Sequence, residues 1–181
     1  MKTQKDDLAR ILVSTQQIQA RTSEIANQIN HEYANRDNLV LIGILKGAFI
    51  FLSDLARAIE IPHTVDFMAL SSYGKSGAVG SDVRLIMDLR EPIEDKHIII
   101  VEDILDSGHT LDYLIRMLNN RKPASLKTCV LLRKPSSPAN VPIDFLGFEI
   151  PDVWVVGYGL DYADSYRTLP FIAELRKEIY S

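Results

Sequence analysis

The chain has one cysteine in 181 residues and no surplus of positive charge, with 20 lysines and arginines set against 24 aspartates and glutamates, a formal net charge of −4. A lone thiol, Cys129, cannot close an internal disulfide, which points to a reducing compartment, the cytoplasm. The acidic balance argues against a protein built to coat nucleic acid or anionic lipid, because both demand a face crowded with Lys and Arg. The opening residues lack the apolar core of a signal peptide. No apolar run approaches the ~18 residues that span a bilayer, and the run around His97-Ile98-Ile99-Ile100-Val101 is strand-sized. The four histidines, His31, His63, His97 and His109, are scattered without metal-ligand spacing. Gly74-Lys75-Ser76 imitates the end of a nucleotide-binding P-loop, but the earlier glycine of that motif would fall at Ala69. There is no repeat, low-complexity stretch or linker. What is present, 46% apolar and 24% charged residues, suits one domain over residues 1–181 with a well-buried core and a small molecule as its partner.

Along the chain, helical and strand patterns alternate. Ser14 followed by Gln17 has the form of a capping box, and Ile18, Thr22, Ile25 and Ile29 recur at helical spacing, so a helix is expected over residues 15–33. Residues 39–45 are a continuous apolar strand, as a parallel sheet covered by helices on both faces requires. A helix is expected over 48–60 and strands over 64–70 and 83–87, joined by a loop at 71–81 that holds three of the nine glycines. A buried strand over 96–101 is followed by a helix with Leu111, Leu114, Ile115 and Leu118 on one face, stopped by Pro123. Strand patterns return at 126–132 and, after a turn at 148–152, at 153–157. Residues 171–180 read as an amphipathic helix. Strands alternating with helices predict an α/β fold with an open, mostly parallel, doubly wound sheet. Ligands of such sheets bind beyond the carboxyl ends of the strands.

Residues 99–111 carry the strongest chemical signal. An apolar strand runs into three carboxylates, Glu102, Asp103 and Asp106, and then into the small-residue turn Ser107-Gly108-His109-Thr110, which opens a helix. Small residues let backbone N–H groups approach an anion closely, and the helix points its positive dipole end at the same place, so a phosphate monoester would be held there. Glu102 and Asp103, adjacent at a strand end, cannot both face the core. Hard carboxylate oxygens beside a phosphate suit Mg²⁺, the vicinal hydroxyls of a ribose, or both. Helix capping alone would need one such residue, not three acids and a glycine turn.

The segment VEDILDSGHTL resembles the phosphoribosyl-diphosphate binding signature of type I phosphoribosyltransferases, and its Glu-Asp opening resembles the hypoxanthine–guanine branch. The resemblance covers nearly the whole chain. Leu45-Lys46-Gly47 is similar to the family's diphosphate-binding loop, where a non-proline cis peptide often sits, and Ser71-Ser72-Tyr73-Gly74 to the start of its mobile lid. Leu131-Leu132-Arg133-Lys134-Pro135 resembles the segment whose lysine meets the purine O6. Residues 148–152, 155–162 and Tyr166-Arg167 resemble its base-binding and diphosphate-binding end. The family fold adds a small hood made from the N- and C-terminal segments.

The resemblance implies transfer of the 5-phosphoribosyl group from phosphoribosyl diphosphate to N9 of hypoxanthine or guanine, giving the nucleoside monophosphate and pyrophosphate. It implies that Asp106 accepts the purine N7 proton, and that Ser107, Gly108, His109 and Thr110 cradle the sugar phosphate. Glu102 and Asp103 would hold the ribose hydroxyls with Mg²⁺, Asp161 a second Mg²⁺, and Lys46, the Gly47 N–H and Arg167 the diphosphate. Lys134 would read the 6-oxo group, Trp154 would stack on the base, the Val155 backbone would meet its pyrimidine edge, and Ser72 and Tyr73 would close as a lid. Assembly as a homodimer or homotetramer is also implied. The chain departs from the family pattern at Val153, often a lysine, at Trp154, more usually phenylalanine, and at Arg133, where bacterial relatives often carry an acid. A regulator that keeps this fold and binds RNA is the competing class. It would carry a basic face and an aspartate pair in place of Glu102-Asp103, and this chain has neither. A relative acting on xanthine, adenine or orotate is disfavoured by the region of Lys134 and Trp154.

Overall fold

The computed structural model describes residues 3–73, 82–138 and 141–181. In chain order the elements are β1 (Leu8–Val13), α1 (Thr15–Glu32), β2 (Leu39–Leu45), α2 (Phe49–Ala58), β3 (His63–Tyr73), β4 (Asp82–Met87), β5 (His97–Leu105), α3 (His109–Asn119), β6 (Ser125–Arg133), β7 (Phe145–Glu149), β8 (Val155–Val156), β9 (Ile172–Leu175) and α4 (Lys177–Tyr180). The main sheet has six strands in the order β4-β3-β2-β5-β6-β7. All its pairings are parallel except that of the edge strand β4 with β3.

Each central strand is apolar on both faces because each face is covered. Leu39, Leu41, Ile99, Val101, Cys129 and Leu131 pack with α1 and α2, while Val40, Ile42, Ile98, Ile100 and Val130 pack with Leu111, Leu114 and Leu118 of α3. A fully buried Ile or Leu side chain contributes roughly 1.5–3 kcal/mol, so these alternating positions hold the sheet between its helices. The doubly wound α/β architecture expected from the alternation is present. Among the described residues no helix is long and apolar enough to cross a membrane.

The second sheet is the hood. Its three antiparallel strands, in the order β1-β9-β8, join the start of the chain to its end. Here the structure corrects the sequence. Residues 171–180 are not one helix: β9 takes Ile172–Leu175, and only Lys177–Tyr180 is helical. The apolar residues Phe171, Ile172, Leu175 and Ile179 fit helical spacing, but pairing with β1 and β8 satisfies the backbone and buries Ile172, Ala173 and Leu175. The segment at 145–149 is a sixth sheet strand, not the approach to a turn at 148–152, because β6 offers it a parallel partner. The strand expected at 153–157 shrinks to Val155–Val156. β3 runs to Tyr73, taking the first residues of the loop expected at 71–81, because β4 pairs with it that far. Residues 74–81 of that loop lie outside the described residues.

The start of α1 is as the pattern requires. Ser14 Oγ accepts the Gln17 N–H at 3.3 Å, and Gln17 Oε1 accepts the Ser14 N–H at 2.9 Å. Replacing Ser14 by Ala removes one half of this reciprocal pair. The expected loss is about 1 kcal/mol of unfolding free energy in urea with an unchanged m value; no shift of the midpoint would show that α1 does not depend on its cap.

Candidate active site

β2 leads through α2 to β3 on one side of the sheet's centre, whereas β5 leads through α3 to β6 on the other. The winding therefore reverses between β2 and β5, and a crevice opens beyond their carboxyl ends. Register then decides which residues meet. Gly43 of β2 pairs with Val101 of β5, so the chain leaving β2 through the cis Leu45–Lys46 peptide bond reaches Gly47 beside Asp103. On the other side Leu105 of β5 pairs with Arg133 of β6, and the next residues, Asp106 and Lys134, leave the sheet as neighbours. Lys134 Nζ lies 3.4 Å from Asp106 Oδ2 and 3.4 Å from Asp152 Oδ1. The Ser137 hydroxyl donates to the Leu105 carbonyl at 2.6 Å, tying the turn after β6 to the end of β5.

Asp106 is followed by a turn built for close approach. Gly108 has a φ of +75°, and a Cβ there would stand 3.0 Å from Val141 and 3.1 Å from Pro138, so glycine is required both by conformation and by space. No side chain caps α3, which leaves its first N–H groups without intrahelical partners. Ser107 and His109 are exposed and Thr110 is half-buried around them.

Strand β5 continues past the segment expected at 96–101, so Glu102 and Asp103 lie within it and not beyond its end. Pairing of Glu102 with Val130 and of Ile104 with Leu132 extends the strand. Asp103 is wedged against the loop after β2: a Cβ on Gly47 would stand 1.6 Å from Asp103 Oδ2. Gly159, at a φ of +106°, backs the same loop, and a Cβ there would meet the Gly47 carbonyl oxygen at 2.0 Å. Burial pushes the Glu102 carboxyl well above the usual range, with the Asp103 charge adding to it. Glu102 Oε2 is sealed from solvent and has no hydrogen-bond partner among the described residues. Burial likewise raises Asp103 to about 6, against the Ile104 N–H that its Oδ1 accepts at 2.9 Å; Arg167 lowers it further and Asp161 raises it.

Opposite these acids stand two cations. Arg167 donates from Nη1 to the Gly159 carbonyl at 2.8 Å, and its Nη2 lies 2.8 Å from Asp161 Oδ1 and 3.0 Å from Asp164 Oδ1. Lys46 Nζ donates to that same Asp164 oxygen at 3.0 Å. Nearer the hood, Trp154 is 45% exposed, stacked on Tyr180 at 5.3 Å and edge-on to Tyr162 at 5.5 Å. The Val155 side chain is buried in the core, so only its backbone faces other chemistry. Ser72 and Tyr73 end β3 opposite Val83 and Asp82; their side chains and the rest of the expected lid lie outside the described residues.

The structure thus brings Lys46, Gly47, Glu102, Asp103, Asp161 and Arg167 to one end of the crevice and Asp106 and Lys134 to the other. No group of three or more His, Cys, Asp or Glu side chains among the described residues is arranged to enclose a metal ion. That arrangement still fits Mg²⁺. The ion prefers one or two carboxylates and fills its other positions with water and substrate phosphates, and Asp103 lies close enough to Asp161 to feel its charge. Two neighbours had no role of their own in the sequence reading, Asp152 beside Lys134, which fell only within the segment similar to the base-binding end, and Asp164 between Lys46 and Arg167. Neither falls in a periodic pattern, and Asp164 is presented by a turn with positive φ at Ala163, Asp164 and Tyr166.

With the geometry in place, similarity to known proteins is unambiguous. The family model for the phosphoribosyl transferase domain matches residues 10–163. A hypoxanthine-guanine phosphoribosyltransferase of Dictyostelium discoideum is 47% identical over 174 residues, covering 94% of this chain and 97% of that protein. A hypoxanthine phosphoribosyltransferase of Escherichia coli strain K12 is 46% identical over 167 residues, 91% and 94% of the respective chains. The crystal structure of a hypoxanthine phosphoribosyltransferase from Staphylococcus aureus superposes with a TM-score of 0.92 at 40% identity, covering 98% of this chain and 96% of that one.

The raised Asp103 carboxyl has a consequence for stability. A carboxyl at about 6 in the fold and 3.8 in the open chain binds more protons when folded, so its cost is complete above about pH 6 and vanishes as pH falls towards 3.8. Asp103→Asn should therefore stabilise the metal-free protein at pH 7.5 by on the order of 2 kcal/mol, with the gain gone near pH 4. Denaturation at both pH values checks this; a gain of the same size at each would mean that burial of the charge is not its cause.

Proposed function

The chain belongs to the phosphoribosyltransferase family, and on that premise we propose how its crevice performs purine salvage, the transfer of a phosphoribosyl group from phosphoribosyl diphosphate to hypoxanthine or guanine. One observation carries the reading: a carboxylate and a lysine at the ends of adjacent parallel strands, Asp106 and Lys134, 3.4 Å apart, beside a helix start with no side-chain cap.

The sugar 5-phosphate sits on the amides of the Ser107-Gly108-His109-Thr110 turn, where the α3 dipole favours an anion. The purine turns its N7 and 6-oxo edge towards Asp106 and Lys134 with Trp154 against its face, using the side of the indole that Tyr180 leaves open, and the Val155 backbone meets its pyrimidine edge. N9 attacks C1 of the sugar as the bond to pyrophosphate breaks, and Asp106 takes the N7 proton. Lys46, the Gly47 N–H and Arg167 hold the diphosphate, Arg167 with its forked donors. Glu102 and Asp103 would hold Mg²⁺ with the ribose hydroxyls and Asp161 a second Mg²⁺ near the diphosphate, where the metal's charge would neutralise the leaving pyrophosphate. Ser72 and Tyr73 close over the reacting centre and keep water from the sugar cation.

Lys134 only donates. It pairs with the 6-oxo group of hypoxanthine or guanine and meets a mismatch at the 6-amino group of adenine, a kind of discrimination that reaches roughly 10⁴–10⁵. Incubating the protein with Mg²⁺, phosphoribosyl diphosphate and each base in turn should yield nucleotide from hypoxanthine or guanine and essentially none from adenine. Equal use of adenine would sink the role of Lys134. Asp106→Asn should lower turnover about 10²–10⁴-fold while calorimetric binding of phosphoribosyl diphosphate stays near that of the parent. Unchanged turnover would remove Asp106 from the proton transfer.

A further inference from the structure

Lys46 and Arg167 approach each other from separate parts of the chain, the corner after β2 and the loop before β9, and a single oxygen joins them. Asp164 Oδ1 accepts from Lys46 Nζ and from Arg167 Nη2, each at 3.0 Å. We propose that the Asp164 carboxylate is an internal counter-anion seated between the two cations of the diphosphate subsite, which the diphosphate of substrate or product must displace, so that this residue sets the affinity of the site for diphosphates. The inference rests on the assignment of Lys46 and Arg167 to the diphosphate.

Three features suit Asp164 to that role. Its side chain is 69% exposed, so packing does not fix it, and its path out is through water. Its backbone is anchored independently, since its N–H donates to Asp161 Oδ2 at 2.8 Å; the carboxylate can swing away without unfolding the turn. Arg167 keeps its orientation when Asp164 leaves, because Nη1 remains on the Gly159 carbonyl and Nη2 on Asp161. Arg167 and Lys46 in turn hold the Asp164 carboxyl below its usual range, as two cations on one oxygen do. Exposed ion pairs are individually weak and screened by salt. A diphosphate with several charges therefore displaces the carboxylate readily, but at a cost in affinity. Until then both cations stay aimed at one point.

The test is calorimetric titration of the full chain with Mg²⁺ and inorganic pyrophosphate, at low and at high ionic strength. Asp164→Asn should bind pyrophosphate roughly three- to tenfold more tightly than the parent at low salt, with the gap narrowing as salt rises. Asp164→Glu, which keeps the anion, should bind no more tightly than the parent. In steady state Asp164→Asn should lower KM for phosphoribosyl diphosphate by a similar factor with the single-turnover rate unchanged. A merely structural residue would instead lower the rate. Unchanged or weaker pyrophosphate binding by Asp164→Asn, or equal tightening by Asp164→Glu, would overturn the proposal. Lys46→Gln separates the two levels: if it weakens pyrophosphate binding while Asp164→Asn changes nothing, only the counter-anion fails; if it leaves binding intact, the diphosphate assignment fails and the counter-anion with it.

Discussion

Parallel pairing of β5 with β2 on one side and β6 on the other is the constraint from which the site follows. A parallel register leaves no freedom once one pair is set. With Leu105 opposite Arg133, Asp106 and Lys134 must leave the sheet at the same height, and with Gly43 opposite Val101 the shorter β2 ends two residues lower and brings Lys46-Gly47 to Asp103. A slip of one residue in β5 would exchange the side chains packed on its two faces and carry Glu102, Asp103 and Asp106 away from their neighbours, so the core that Ile98 to Val101 occupy on both faces also holds these acids in position. The site is as rigid as the sheet because the same residues make both.

Rigidity also explains the two half-buried, poorly solvated carboxylates. A strand tip open to water would let Glu102 and Asp103 ionise at ordinary pH and drift. Set against the Gly47 loop, which Gly159 supports from behind, they are held in place at the cost of being poorly solvated. A poorly solvated acid weakens the fold, but a carboxylate held in place is suited to meet a cation or to accept from hydroxyls, because little reorganisation remains when a partner arrives.

How much of this was legible in the sequence depended on whether the signal was local. α1 announced itself through Ser14, Gln17 and the Ile18 to Ile29 stripe, and β2 through a run of seven apolar residues whose bounds, Leu39–Leu45, the structure reproduces. The motif from Glu102 to Thr110 was legible because an acid cluster before a glycine turn has few structural explanations. β1 and β9 were not, since a six-residue and a four-residue strand become strands only through each other. Ile172 and Leu175 satisfy helical spacing equally well until β1 is beside them. The pairings of Asp152 and Asp164 were hidden for a related reason: their partners, Lys134 and Lys46, are set by sheet register and by a turn with positive φ, neither of which a composition or period reveals.

The hood also reaches the loop that carries Arg167. The Tyr166 hydroxyl donates to Asp7 Oδ2 at 2.9 Å, the Arg176 N–H to the Asp7 carbonyl at 3.0 Å, and Arg176 Nε to the Leu8 carbonyl at 2.9 Å. Tyr166 precedes Arg167 in sequence, so the start of the chain restrains the loop that carries the arginine and Asp161. Tyr158 acts from the other direction, donating its hydroxyl to Asp54 of α2 at 2.6 Å and pinning the turn that holds Gly159 on Gly47. The loop from Gly157 to Arg167 is thus clamped at one end to a helix of the main layer and at the other to Asp7, just before the N-terminal strand. A loop with positive φ at Tyr158, Ala163, Asp164 and Tyr166 would populate many shapes if left free. Clamped at both ends, it can keep Arg167 opposite Lys46 while leaving the exposed Asp164 side chain as its movable part.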